Sequence, residues 1–138
     1  MVIRARHGED EVVRLMDGAD VSGSLVDLGN EPALVTCGVG MVRSARLAYW
    51  NGSSYEEHEV DEPCELVSLQ GNLGHTADGT TIAHCHACLA KRDGTLVGGH
   101  LVSAVAHNTV EIGIRWLGAI KLVRKPENTG LVGLYPAS

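Results

Sequence analysis

Residues 33–50 read ALVTCGVGMVRSARLAYW, and Asn51-Gly52 follows directly. The run is dense in β formers and carries no helical stripe, so it reads as one long strand. Gly38 and Gly40 mark a bend or bulge inside it. Asn-Gly is the dipeptide best suited to a hairpin turn, because both residues tolerate positive φ. SSYEEHEV, residues 53–60, then reads as the returning strand.

Outward from this hairpin the chain stays β-like. CELVSLQGNLGH (64–75), the AHCHACLA stretch (83–90), HLVSAVAHNTVEIGI (100–114) and LGAIKLV (117–123) supply further strands. Asp78-Gly79 and Asp93-Gly94 are turn signals between them. The tail NTGLVGLYPAS (128–138) reads as a surface segment. Towards the N-terminus, residues 2–6 form a short strand. Glu9–Met16 read as a helix: Val12, Val13 and Met16 share a face, three acids open it, and Gly18 would stop it. A second short helix covers 21–29, with Asp20 or Ser22 as its cap and Gly29-Asn30 and Pro32 ending it. The expectation is an α+β fold: a mostly antiparallel sheet of about seven strands, with one or two short helices near the N-terminus. At 138 residues without an internal linker or repeat, the whole chain, 1–138, is expected to be a single domain.

Hydrophobic residues at 44% and charged residues at 20% belong to a globular chain rather than a disordered one. Phe is absent and aromatics make up 4%, so the core must come from Val, Leu, Ile and Ala. The net charge of −6 argues against a nucleic-acid binder, which usually carries a clustered basic face. The densest basic group, Arg115, Lys121, Arg124 and Lys125, reads as a solvated strand face. No apolar run is long enough for a transmembrane helix, and MVIRARHGED lacks the apolar region of a signal peptide. Cys37, Cys64, Cys85 and Cys88 are then expected as reduced thiols in a cytoplasmic protein. Cys85-x-x-Cys88 resembles half a zinc knuckle without its second half, and both read as structural thiols.

The histidines carry the chemistry. Residues two apart in a strand point to one face, so His84 and His86 project together with Cys85 on the other side. The place of His100 depends on the turn at Asp93-Gly94. A two-residue loop sets His100 opposite Ala87, on the wrong side. A three-residue loop, Arg92 to Gly94, sets it opposite His86; so would a bulge at Gly98-Gly99 in the first register. In the second register three imidazoles converge, the donor set of an open zinc site, although imidazole also suits copper, nickel and iron. Occupancy would fall as pH drops through about 6.5, where a free imidazole protonates. From spacing alone the alternative of three unrelated histidines stays open. His58 reads as exposed beside acids, His75 and His107 as structural, and His7 as incidental. Glu111 is a candidate general base near a metal, or equally a partner for an Arg on the sheet.

The pieces GED, TCGVGMVRSARLAYW, ELVSLQGNL, AHCHACLAKRDG, VGGHLV and NTVEI occur in an order that resembles the plant and prokaryote conserved domain, over roughly residues 2–114. Plant nuclear proteins carry that domain after an AT-hook; prokaryotes carry it alone. The most specific part is the His-x-His strand followed by Gly98-Gly99-His100. The resemblance implies an α+β fold, a homotrimer, and one divalent transition-metal ion, zinc foremost, held by His84, His86 and His100. It also brings the label of a candidate DNA-binding protein. This sequence has no AT-hook, since none of its four prolines lies in an Arg-Gly-Arg-Pro context, and direct DNA binding is not expected. Cys85 and Cys88 stand where plain β formers are expected. The implied function is a trimeric, metal-containing regulatory or interaction module whose partners are copies of itself and other proteins. The alternatives are a metal-dependent enzyme using the open position on the ion and a purely structural oligomer.

Overall fold

The computed structural model describes residues 1–138. Nine strands and one short helix occur in the order β1 (Val2–His7), β2 (Asp10–Met16), α1 (Val21–Val26), β3 (Ala33–Trp50), β4 (Tyr55–Val60), β5 (Cys64–His75), β6 (Thr81–Ala90), β7 (Leu96–Trp116), β8 (Lys121–Pro126) and β9 (Val132–Ala137). All nine strands belong to one sheet. Its spine runs β1-β2-β7-β3-β5-β8-β9, with β4 on β3 and β6 bridging β5 and β7. The ladders β3–β5, β5–β6, β6–β7 and β7–β3 therefore make a closed circuit. Every ladder is antiparallel except the single β5–β8 pair, His75 with Val123. That pair makes the sheet mixed.

The long strands can bend round this circuit because their ladders are interrupted. Between β3 and β7 the register shifts at Val35/Cys37 and at Gly40/Val42, which brackets the two glycines expected to mark a bulge. Inside lies one core of mainly aliphatic residues, with Trp116 the largest side chain in it. Helix α1 packs on β6 and β7 and buries Val21 and Leu25.

Three expectations need correction. The molecule is β-rich with one helix, not an α+β fold of about seven strands. Residues 9–16 hold no helix: β2 occupies Asp10–Met16, antiparallel to both β1 and β7. Its burial alternates strictly, with Glu11, Val13 and Leu15 inward. A carboxylate in an inward position disguises that period of two. The turn before it is a two-residue hairpin, His7 pairing with Asp10, and Gly8 at φ +60° is its first residue. The tail is also a strand, β9, paired along its length with β8. Pro136 is tolerated there because β9 is an edge. The helix expected over 21–29 exists as α1, shortened to Val21–Val26, and Asp20 sits at its cap position without a side-chain capping bond.

Candidate metal centre

The turn between β6 and β7 fixes the site. Lys91 and Thr95 close a three-residue loop, the Lys91 N–H donating to the Thr95 carbonyl at 2.9 Å. Gly94 takes φ +85°, the left-handed residue that such a loop requires. Thr95 N–H donates to Asp93 Oδ1 at 2.9 Å and pins the turn. Ala90 then pairs with Leu96, and His86 pairs with His100. The three-residue register left open by the sequence is the one adopted, and Gly98-Gly99 introduces no register shift in this ladder.

Cys85, Ala87 and Leu89 of β6 face the core, so His84 and His86 lie on the opposite face. Ring centroids are 5.3 Å apart for His84–His86, 5.4 Å for His84–His100 and 5.7 Å for His86–His100. One nitrogen from each ring lies within 4.8 Å of the others. In a tetrahedral zinc site with Zn–N of about 2.0–2.1 Å, ligand atoms stand about 3.3 Å apart. His100 Nδ1 is buried without a hydrogen-bond partner, an orphaned polar atom of the kind a ligand or ion satisfies. Tyr55 at the start of β4 stacks on the His100 ring at 5.1 Å.

Burial, then Arg124 and the two neighbouring rings, pushes His84 down to about 4. Burial and then His86 also lower His100. Desolvation disfavours the imidazolium, so these rings hold the neutral form that ligates metal, and His84 does so well below the expected value of about 6.5.

Arg124 is a residue that sequence reasoning misses. Among the four basic residues read as a solvated face, it alone is buried, 6% exposed, and β8 points it inward two residues after Leu122. Its Nη2 donates to Asn72 Oδ1 at 2.7 Å and to His84 Nδ1 at 3.1 Å, and Nη1 donates to the Val132 carbonyl at 3.2 Å. A cleft of about 440 Å³ opens beside the cluster, lined in part by Tyr55, Ile82, His84, His100, Arg124 and Leu131. The period-two spacing of Leu122 and Arg124 is the only sequence signal for it.

The other candidates lie elsewhere. Cys85 is buried and pushed up to about 12 by that burial, so it stays a thiol. All four cysteines are free, and none joins the three rings. His58 and His7 are exposed. His107 Nδ1 accepts from Arg43 at 3.1 Å, a structural role. His75 Nε2 is buried without a partner, at the β5–β8 pair. Glu111 is exposed opposite Arg14 and Val39. It lies about 36 Å along β7 from His100 at about 3.3 Å per residue. Within the chain it does not serve the cluster.

A family model for the plants and prokaryotes conserved domain matches residues 3–117. A plant- and prokaryote-conserved protein of Pyrococcus horikoshii superposes with a TM-score of 0.86 at 26% identity, covering 100% of this chain and 96% of that one. A metal-containing protein of Archaeoglobus fulgidus gives 0.84 at 30% identity, with 93% and 94% covered. A Bacteroides thetaiotaomicron structure described as a candidate DNA-binding protein gives 0.90 at 19% identity, with 98% and 97% covered, a likeness of fold alone. No curated protein matches the chain.

Proposed function

The chain belongs to the plants and prokaryotes conserved domain family, and from that premise we propose that it is a metal-binding module holding one divalent transition ion, zinc foremost, through His84, His86 and His100. The observation that carries this reading is the convergence of three rings, two of them held neutral by burial, on one point outside the core. The name of the Archaeoglobus fulgidus relative as metal-containing supports it. Bound there, the ion would supply Lewis acidity at a fourth position open to the cleft. The residues of the chain hold and desolvate it: β6 presents two rings, the turn at Gly94 delivers the third, and Tyr55 backs His100.

The module works as a homotrimer of a regulatory or interaction kind. Direct binding to duplex DNA is weak or absent, because the net charge is −6. Electrophoretic shifts across a salt series test that; tight binding with a steep salt slope would show that assembly builds a basic surface. The cleft favours a second reading, a metal-dependent enzyme whose substrate reaches the ion through it.

Elemental analysis of the purified protein tests the metal reading. One ion per chain is expected in the wild type. In His100→Ala the metal is lost while circular dichroism stays β-like, since β6 and β7 remain paired along their ladder. Equal content in both proteins, or none in either, refutes the three-histidine site.

A further inference from the structure

A neutral imidazole has one lone pair, and a guanidinium can only donate. At 3.1 Å from Arg124 Nη2, His84 Nδ1 spends that lone pair as an acceptor. It cannot also coordinate an ion. If the metal binds Nδ1, the lone pair is taken. If it binds Nε2, the ring proton moves to Nδ1 and meets the guanidinium donor with a donor. Either way, loading the site releases an Arg124 N–H beside a metal ligand.

Arg124 already lacks a counter-charge. None of the chain's ion pairs involves it. Its three hydrogen bonds go to a carbonyl, an amide oxygen and a ring nitrogen, all neutral groups. Its Nε is buried with no acceptor. Glu127 lines the same cleft but accepts from the Tyr135 hydroxyl at 2.7 Å. A buried cation without a counter-charge is costly, and a divalent ion on the adjacent rings adds like charge next to it. An anion placed between them relieves both.

We propose that Arg124 and the open position of the metal together bind the carboxylate of a small organic acid, whose apolar body lies in the cleft between Tyr55, Ile82 and Leu131. This rests on the metal reading above. The cleft fits a monoanion better than a phosphate: it offers one guanidinium, an apolar wall, and the Glu127 carboxylate, which repels further negative charge. A carboxylate oxygen is an ordinary zinc ligand, and a guanidinium pairs with the second oxygen.

The test uses the full chain loaded with one equivalent of cobalt(II), whose visible absorption reports the ligand at the open position. Butyrate is the probe, with butanol and inorganic phosphate as comparisons. Butyrate is expected to shift the spectrum saturably, butanol to leave it unchanged, and phosphate to act more weakly. Arg124→Gln should weaken butyrate binding at least about tenfold, the scale expected when one partner of a desolvated charge pair is removed. Arg124→Lys, which keeps the charge, should retain part of it. Equal butyrate affinity in Arg124→Gln and wild type, tighter phosphate than butyrate, or no response from cobalt-loaded wild type overturns the proposal. Should Arg124→Gln fail to fold, linkage in the wild type decides: butyrate must raise zinc affinity, and an unchanged affinity overturns it. Failure of the wild type to take up metal overturns the metal reading and this inference with it. Stoichiometric metal uptake without a butyrate response overturns this inference alone.

Discussion

Glu11 is a carboxylate in a strand position that its neighbours fill with Val and Leu, and its side chain is 2% exposed. It is tolerated because its oxygens are occupied. Arg4 donates through Nε at 2.6 Å and Nη2 at 3.1 Å, and Trp116 Nε1 donates at 2.7 Å. Arg6 stacks over the Trp116 ring at 4.9 Å. The Arg4 hydrogen bond holds the Glu11 carboxyl below its usual range, against burial, which pushes the other way. With a folded value below the unfolded one, the unfolded chain takes the proton first as pH falls. Stability from Glu11 is therefore present above about 4.5, the ordinary value, and is lost as pH drops through the folded value. Glu11→Gln should cost about 1–3 kcal/mol at pH 7, kept low because Arg4 is partly solvated, and the cost should shrink towards acid. Urea midpoints measured from pH 7 to 3 check this; a parallel offset at every pH would mean that charge at Glu11 contributes nothing. The same residue explains why β2 is unreadable in the sequence. Charge inside a strand breaks the alternation by which strands are recognised, and the indole of Trp116, at the far end of β7 and remote along the chain, is what makes it acceptable.

At the scale of elements, legibility followed locality. The register of the β6–β7 hairpin was readable as one of two options because it depends on one turn, and Gly94 chose between them. Strand β9 is hidden in the sequence because its Gly and Pro argue against a strand, while its pairing depends on β8. The site divided likewise: strand parity exposed His84 and His86, whereas Arg124 meets His84 across 40 residues of sequence. Two glycines separate turn chemistry from site chemistry. Gly94 stands in open space, so Gly94→Ala meets only the strain of its φ of +85°. It should lose about 1–3 kcal/mol while leaving zinc affinity unchanged in the folded protein. Gly71 of β5 packs directly against the carbonyl of His84 and the backbone of Cys85. A Cβ there pushes β6 away at His84. Gly71→Ala should cost about 1–3 kcal/mol as overpacking and also weaken zinc binding. Thermal unfolding and zinc competition with a chromophoric chelator separate the two. Wild-type zinc affinity in Gly71→Ala would show that the spacing of β5 and β6 does not set the site.

The whole molecule closes its core by joining β3, β5, β6 and β7 in a circuit, and this leaves the other side of the long strands without cover. On that outer face Val12 is 65% exposed, Val39 50%, Val67 48% and Leu34 40%. They stand on β2, β3 and β5, with β7 between β2 and β3: Val12 lies beside Gly113 of β7 and Gly113 beside Cys37 of β3, while Val39 lies beside Glu111 and Leu34 beside Arg115 and Asn72. This face mixes exposed apolar residues with the cross-strand pairs Asp10–Arg115 and Arg14–Glu111, a make-up that association can bury. The family resemblance implies three copies, and a closed ring of three buries the same patch on each chain without leaving an open end to polymerise. The charges on this face then set orientation rather than affinity, because each exposed ion pair contributes about 0–1 kcal/mol. Two carboxylates introduced on this face, one of them beside Glu111, would be desolvated in the assembly and solvated in the monomer, so they should separate the copies without disturbing the fold. The expected result is a trimer by light scattering at micromolar concentration for the wild type, and a monomer with unchanged circular dichroism for the Val12→Glu, Val39→Glu double variant. A monomeric wild type would remove the trimer from the proposed function. A double variant that stays trimeric would move the interface to another face, since this one could no longer be buried.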